Sequence, residues 1–184
     1  MNPNAEFIRL LQNLIRLGTV AEVDHVSARV RVASGELLTN WLPWLSTRAG
    51  QTRVWNPPTE GEQVLMLSPG GDPSTGVVLT GLFSDTHPAP SEDPGTTLFA
   101  LPDDARIEYD HARHVLRLVL PGTIEIEAPG GTTWKGDIHH LGSMTREGSY
   151  TQTGGNMSHD GKNVGTDHVH DGVQSGSSKT RGPQ

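Results

Sequence analysis

A chain of 184 residues with 22 Gly, 13 Pro and only 33% hydrophobic residues is thin material for a self-sufficient core of that length. Part of it must then be unstructured, or must bury its apolar groups against other copies of itself. A net charge of −7 argues against nucleic acid as the main partner, and the absence of cysteine excludes disulfides, thiolate metal sites and cysteine nucleophiles. No apolar run approaches about 18 residues, so no membrane-spanning helix is expected. The start, Met1-Asn2-Pro3-Asn4-Ala5-Glu6, lacks the basic lead and small-residue cleavage site of a secretory leader, and assembly in a cytoplasm is expected.

Residues 1–17 read as a short helix. Phe7, Leu10, Leu11, Leu14, Ile15 and Leu17 follow helical spacing, Asn2-Pro3 or Asn4 can begin it, and Gly18 stops it. A helix of three to four turns is marginal alone. Its apolar stripe is therefore expected to dock, first on its own domain and second on a neighbouring protein.

Residues 18–84 change to strand patterning. Thr19–Asp24 and Ala28–Val32 alternate apolar and polar residues. The run Leu37-Leu38-Thr39-Asn40-Trp41-Leu42-Pro43-Trp44-Leu45 follows, with Pro43 placing it at an edge or bend. Gly61–Asp72 is a strand entering a glycine turn, and Gly76–Phe83 is its partner. Five or so short strands in this space suit a small OB-like barrel. Such barrels often bind oligonucleotides, but no interleaved set of basic and aromatic residues is present, and Trp41 and Trp44 read as core and subunit contacts.

Residues 85–96 are a linker rich in Pro, too short to hold a catalytic domain. Residues 97–129 read as an antiparallel β collar, with strands at Arg106–Tyr109, Val115–Leu120 and Thr123–Ala128. His111 and His114 fall at its turn, as solvated loop histidines.

A repeat occupies residues 130–165. Glycines stand at 130, 136, 142, 148 and 154, and resume after one extra residue at Gly161. Two positions after the glycines come Ile138, Met144 and Tyr150, with Met157 after the slip. Short strands turning at glycines, each with an apolar residue in phase, describe a β-solenoid. Only seven of these 36 residues are apolar, so one chain cannot close a core. Three intertwined chains could, each meeting the other two along an axis, as a trimeric triple-stranded β-helix. A disordered glycine-rich tail is the alternative.

The tip, residues 166–184, holds Thr166-Asp167-His168-Val169-His170-Asp171-Gly172. On a strand His168 and His170 share a face, whereas on a helix they would diverge. Taken alone, they read more readily as exposed tail histidines than as a metal site. At the end of a three-chain repeat they would supply six imidazole nitrogens on the axis, an octahedral shell suited to iron; zinc, preferring four ligands, fits less well. His139 and His140 are adjacent and face opposite sides, so they are not read as a site. His159 and Asp160 could serve as outer or axial groups. The polar stretch after the histidines is expected to form a small cap.

Several of these stretches together resemble the baseplate assembly protein V family of contractile-tailed phages, the central tail spike. They are Leu37–Trp44, Gly61–Val64 with Ser68–Asp72, Arg106–Asp110, Asp160-Gly161-Lys162-Asn163-Val164-Gly165 and His168-Val169-His170. The resemblance covers nearly the whole chain in order. It implies an OB-fold collar, a homotrimeric triple-stranded β-helix and a tip closed by iron on the paired histidines, one ion per trimer, with calcium or chloride as possible axial ions. It also implies puncture of a Gram-negative outer membrane on sheath contraction, baseplate and tail-tube hub proteins as partners, and a place in the virion tail. Asp167 and Val169 stand where small hydroxyl residues commonly sit, which leaves both ligands in place.

The expected function is therefore mechanical and not enzymatic. The competing readings are the spike of a phage-tail-like bacteriocin or type VI secretion system, a metal-dependent enzyme using His168 and His170, and an OB-fold nucleic-acid binder. The enzyme is disfavoured because six-coordinate closure leaves no open position and no nucleophile or paired-carboxylate motif stands nearby.

Overall fold

The structure is a computed structural model that describes residues 3–165, 168, 169, 172, 174 and 176. It is mostly β with one helix, and it divides into two units, residues 1–127 and 128–184. No helix among the described residues is long and apolar enough to cross a membrane.

Helix α1 spans Pro3–Asn13, with proline in the first turn where its missing N–H costs nothing. Strand β1 begins almost at once, at Ile15, and runs to Asp24. The expected helix to Leu17 is thus too long by about a turn: Ile15, Arg16 and Leu17 pair with Leu67, Met66 and Leu65, and sheet pairing overrides helical spacing. The expected docking of the helix stripe on its own barrel is also corrected. Phe7, Ile8 and Leu11 are exposed, and the helix sits down through Leu10 and the buried Asn13. Its backbone at Leu10 lies directly against Gly71, where only a glycine leaves room. Below it, Arg16 donates to Asn13 Oδ1 at 3.0 Å and to the Ser34 carbonyl at 3.1 Å, and Ser68 N–H donates to the Leu14 carbonyl at 2.8 Å.

The remaining strands of this barrel are β2 (Arg29–Ser34), β3 (Leu37–Leu38), β4 (Leu42–Pro43), β5 (Gln63–Leu67) and β6 (Val77–Leu82). The sheet runs β3-β2-β1-β5-β6, with β4 also on β2. A bridge from Trp44 to Val78 and the Leu45 N–H to Val78 carbonyl bond at 2.8 Å join the two ends, so the sheet closes on itself. Alternate residues point inward, and Val20, Val30, Val32, Leu42, Val64, Met66 and Val78 make one buried cluster with Trp44 packed against it. The buried Thr39 hydroxyl accepts from the Val32 N–H at 2.9 Å, filling a ladder position where β3 has ended.

A second sheet has the order β7-β8-β9, from Thr96–Ala100, Arg106–Asp110 and Val115–Val119. The expected strand at Thr123–Ala128 forms no ladder within the chain. Two hairpins share one turn design. Asp24 accepts from the Val26 and Ser27 N–H groups before Ala28 at φ 53°, and Asp110 accepts from Ala112 and Arg113 before His114 at φ 56°. His111 is bonded rather than merely solvated: its Nε2 lies 2.9 Å from Thr97 Oγ1 and its ring meets Tyr109 edge-on.

Candidate functional site

The second unit carries the six-residue repeat. Gly136, Gly142, Gly148 and Gly154 all have positive φ, between 70° and 124°, so each repeat turns where an L side chain would be strained. Among the described residues no strand pairs from 120 to 157. The in-phase apolar residues are open to solvent in the single chain, from 39% exposed at Met157 to 70% at Met144. A hollow of about 430 Å³ lies beside them, lined by Tyr150, Met157 and Val164 among others.

The repeat ends in a hairpin, β10 (Ser158–His159) and β11 (Lys162–Asn163), prolonged by the Val164 N–H to Met157 carbonyl bond at 2.9 Å. Asp160 and Gly161, at φ 48° and 73°, are the Asp-Gly turn that suits a two-residue hairpin. His159 Nε2 lies 3.6 Å from Asp160 Oδ2, both fully in solvent reach. Asn163 Oδ1 accepts from the Gly165 N–H at 2.8 Å, and the Gly165 carbonyl in turn accepts from His168 Nδ1 at 2.6 Å. A carbonyl can only accept, so Nδ1 is the donor in this contact. Outer hydrogen bonding of this kind is what orients a metal-ligating histidine. His170 lies outside the described residues. Among the described residues no three His, Asp or Glu side chains gather as a metal group within one chain. His140 Nε2 is 3.2 Å from the Ser143 carbonyl, a local contact that does not make His139-His140 a site.

The first unit presents a second feature that sequence reading passed over. Register places Phe99 opposite Ile107, Ile107 opposite Leu118 and Tyr109 opposite Leu116. Opposed residues share a face, so these five form one apolar side of the β7–β9 sheet. They are 66%, 41%, 38%, 62% and 50% exposed for Phe99, Ile107, Tyr109, Leu116 and Leu118. The other side carries the Glu108–Arg117 pair at 3.3 Å. Strand β7 is the missing piece: of Thr96–Ala100 only Thr96 falls in the linker, but the collar strands expected from sequence begin at Arg106, and without β7 the apolar side is only two strands wide.

Residues 16–83 match the family described as the type VI secretion system/phage-baseplate injector OB domain, which is the closed barrel of the first unit. Over 198 aligned positions the chain is 33% identical to the spike protein of Escherichia phage P2, covering 93% of each chain. The chain belongs to the phage baseplate spike family. The match extends well past the barrel. The family is a structural one, and the barrel is its OB domain.

Proposed function

We propose that this protein is the homotrimeric central spike of a contractile phage tail, which pierces the host outer membrane when the sheath contracts. The observation that carries this reading is the end-to-end similarity to the phage P2 spike protein. Two features of the chain support the trimer. The β7–β9 sheet leaves a whole apolar side uncovered, and the repeat turns every six residues while its apolar residues find no cover within the chain. Apolar surface on this scale marks an interface, and each side chain fully buried there would contribute about 1.5–3 kcal/mol. Because each strand of an intertwined helix pairs with two other chains, none can fray alone, which is the property a needle needs. The OB domain and the helix stripe of Phe7, Ile8 and Leu11 would face baseplate and tail-tube hub proteins, and the virion tail would be its place.

At the tip, His168 and His170 of three copies would hold one iron ion. The contact of His168 Nδ1 with the Gly165 carbonyl is the kind of outer hydrogen bond that orients a metal-ligating imidazole. The ion would join the three chain ends and stabilise them against fraying. The match to a phage spike over 93% of the chain favours a phage over a secretion-system origin, although the OB-domain family embraces both.

Metal content per chain, measured with the mass in solution, tests both parts. About one iron per three chains, lost in His168→Ala and in His170→Ala, is expected. A chelator or acid, which protonates imidazole, should make residues after about 160 protease-sensitive while the trimer persists. A metal-free monomer would refute the spike; a metal-free trimer would refute only the tip ion.

A further inference from the structure

One cleft of the OB domain has no role in the needle. It has a volume of about 470 Å³ and is lined by Trp44, Trp55, Arg48, Arg53, Val54 and Ala28, among others. The two indoles stand 5.7 Å apart, tilted by 53°, as two walls rather than a stack. The loop that carries the arginines is held by its own backbone: Val54 N–H donates to the Arg48 carbonyl at 3.0 Å, and Ser46 Oγ donates to the Val54 carbonyl at 2.8 Å. The cleft is therefore formed before anything enters it. Between Glu36 and Glu60 the chain has no acidic residue, and neither guanidinium meets a carboxylate among the described residues. On a chain of net charge −7 this is a local cationic, aromatic hollow.

The same unit carries its complement. The linker 85–94 contains Pro88, Pro90 and Pro94 with Asp85, Glu92 and Asp93, and it is exposed throughout. Its ends are tied: Ser84 and His87 bond to each other, and Asp93 accepts from Gly95 and Thr96. Between them Pro88-Ala89-Pro90 makes no backbone hydrogen bond among the described residues, and Glu92 pairs with no cation there. Segments of this composition favour the extended polyproline conformation, which docks on aromatic-lined grooves at little entropic cost. None of these linker residues lines the cleft of its own chain.

We propose that the cleft receives the Pro88–Glu92 segment of a neighbouring copy, with proline rings against Trp44 and Trp55 and Glu92 against the arginines. This rests on the trimer reading above. A cyclic trimer needs two different surfaces on each copy, one for each neighbour, and the cleft and the linker are such a pair.

The native chain has no cysteine, so a single engineered pair reports cleanly. Full-length chain carrying Arg53→Cys with Glu92→Cys should, on oxidation, give linked dimers and trimers on a denaturing gel, and neither single variant should. As a second measure, Arg53→Glu and Glu92→Arg should each speed proteinase K cleavage within 85–94 several-fold, and their combination should restore protection. A native mass of three chains without linked species would overturn this inference alone, as would a disulfide closed within one chain. A native mass of one chain would overturn the spike reading with it. Binding of oligothymidylate or of an acidic polysaccharide to the wild-type trimer, lost in Arg53→Glu, would show that the cleft serves a ligand and would also overturn it.

Discussion

Replacing Gly71 by alanine should lift α1 from the barrel while leaving the barrel folded. Gly71 is at φ 74°, and an added Cβ would run into the Leu10 carbonyl group and stand 2.7 Å from Leu10 Cα. Gly70, its neighbour at φ 69°, has nothing within 4 Å of the same position. The pair therefore separates two costs. Gly70→Ala should lose only the left-handed backbone preference, roughly 1–2 kcal/mol. Gly71→Ala should lose that and a further overpacking cost of about 1–3 kcal/mol. The protein can escape the second cost by releasing the helix, so the released state should rise roughly five- to hundredfold at about 1.4 kcal/mol per decade. Trypsin cleavage after Arg9, read against a denaturant titration of the whole protein, measures both quantities. Equal cleavage rates in the two alanine variants would refute the reasoning, because they would mean that Gly71 is needed for its φ and not for its closeness to Leu10.

Thr39→Val keeps the shape of a buried side chain but removes the acceptor for the Val32 N–H, and should cost about 1–3 kcal/mol in denaturant titration. Acid should act on the hairpins late. The Ser27 hydroxyl holds the Asp24 carboxyl below its ordinary value, and the Arg113 N–H does the same for Asp110. Depressed carboxyls contribute stability that is complete above the unfolded value of about 3.9 and lost as pH falls through the lower folded value. Thermal melts should therefore stay level for these turns down to about pH 4 and fall below it, and Asp24→Asn should flatten part of that fall. In the proposed trimer, Leu116→Asp, on the apolar side of the β7–β9 sheet, would place a charge in each interface, and light scattering should then find smaller species than for the native protein.

The barrel was legible in the sequence because its strands alternate strictly, and alternation records which side is buried. Val30 and Val32, Val64 and Met66 lie inside as their spacing requires. The start of β1 was not legible. Leu14, Ile15 and Leu17 satisfy a helical period and a strand period over so short a run, and only the pairing of Ile15 with Leu67 decides between them. The helix stripe was visible, but its direction was not, because amphipathicity tells that a face will be covered and not by what. The repeat was visible as glycine spacing, and the positive φ values at Gly136, Gly142, Gly148 and Gly154 give that spacing its physical reason. At the tip, His168 was picked out by type and spacing, whereas its orientation through the Gly165 carbonyl depends on a backbone contact three residues back that no periodicity announces.

The glycine turns also bear on how long such a protein can be. With a turn at residues 136, 142, 148 and 154, removing or adding one complete block of six leaves every remaining side chain on the side it already occupies. A change of one or two residues would rotate everything beyond it out of phase. In the proposed β-helix length is therefore quantised in whole blocks, and the one extra residue between Gly154 and Gly161 falls where the repeat gives way to the β10–β11 hairpin.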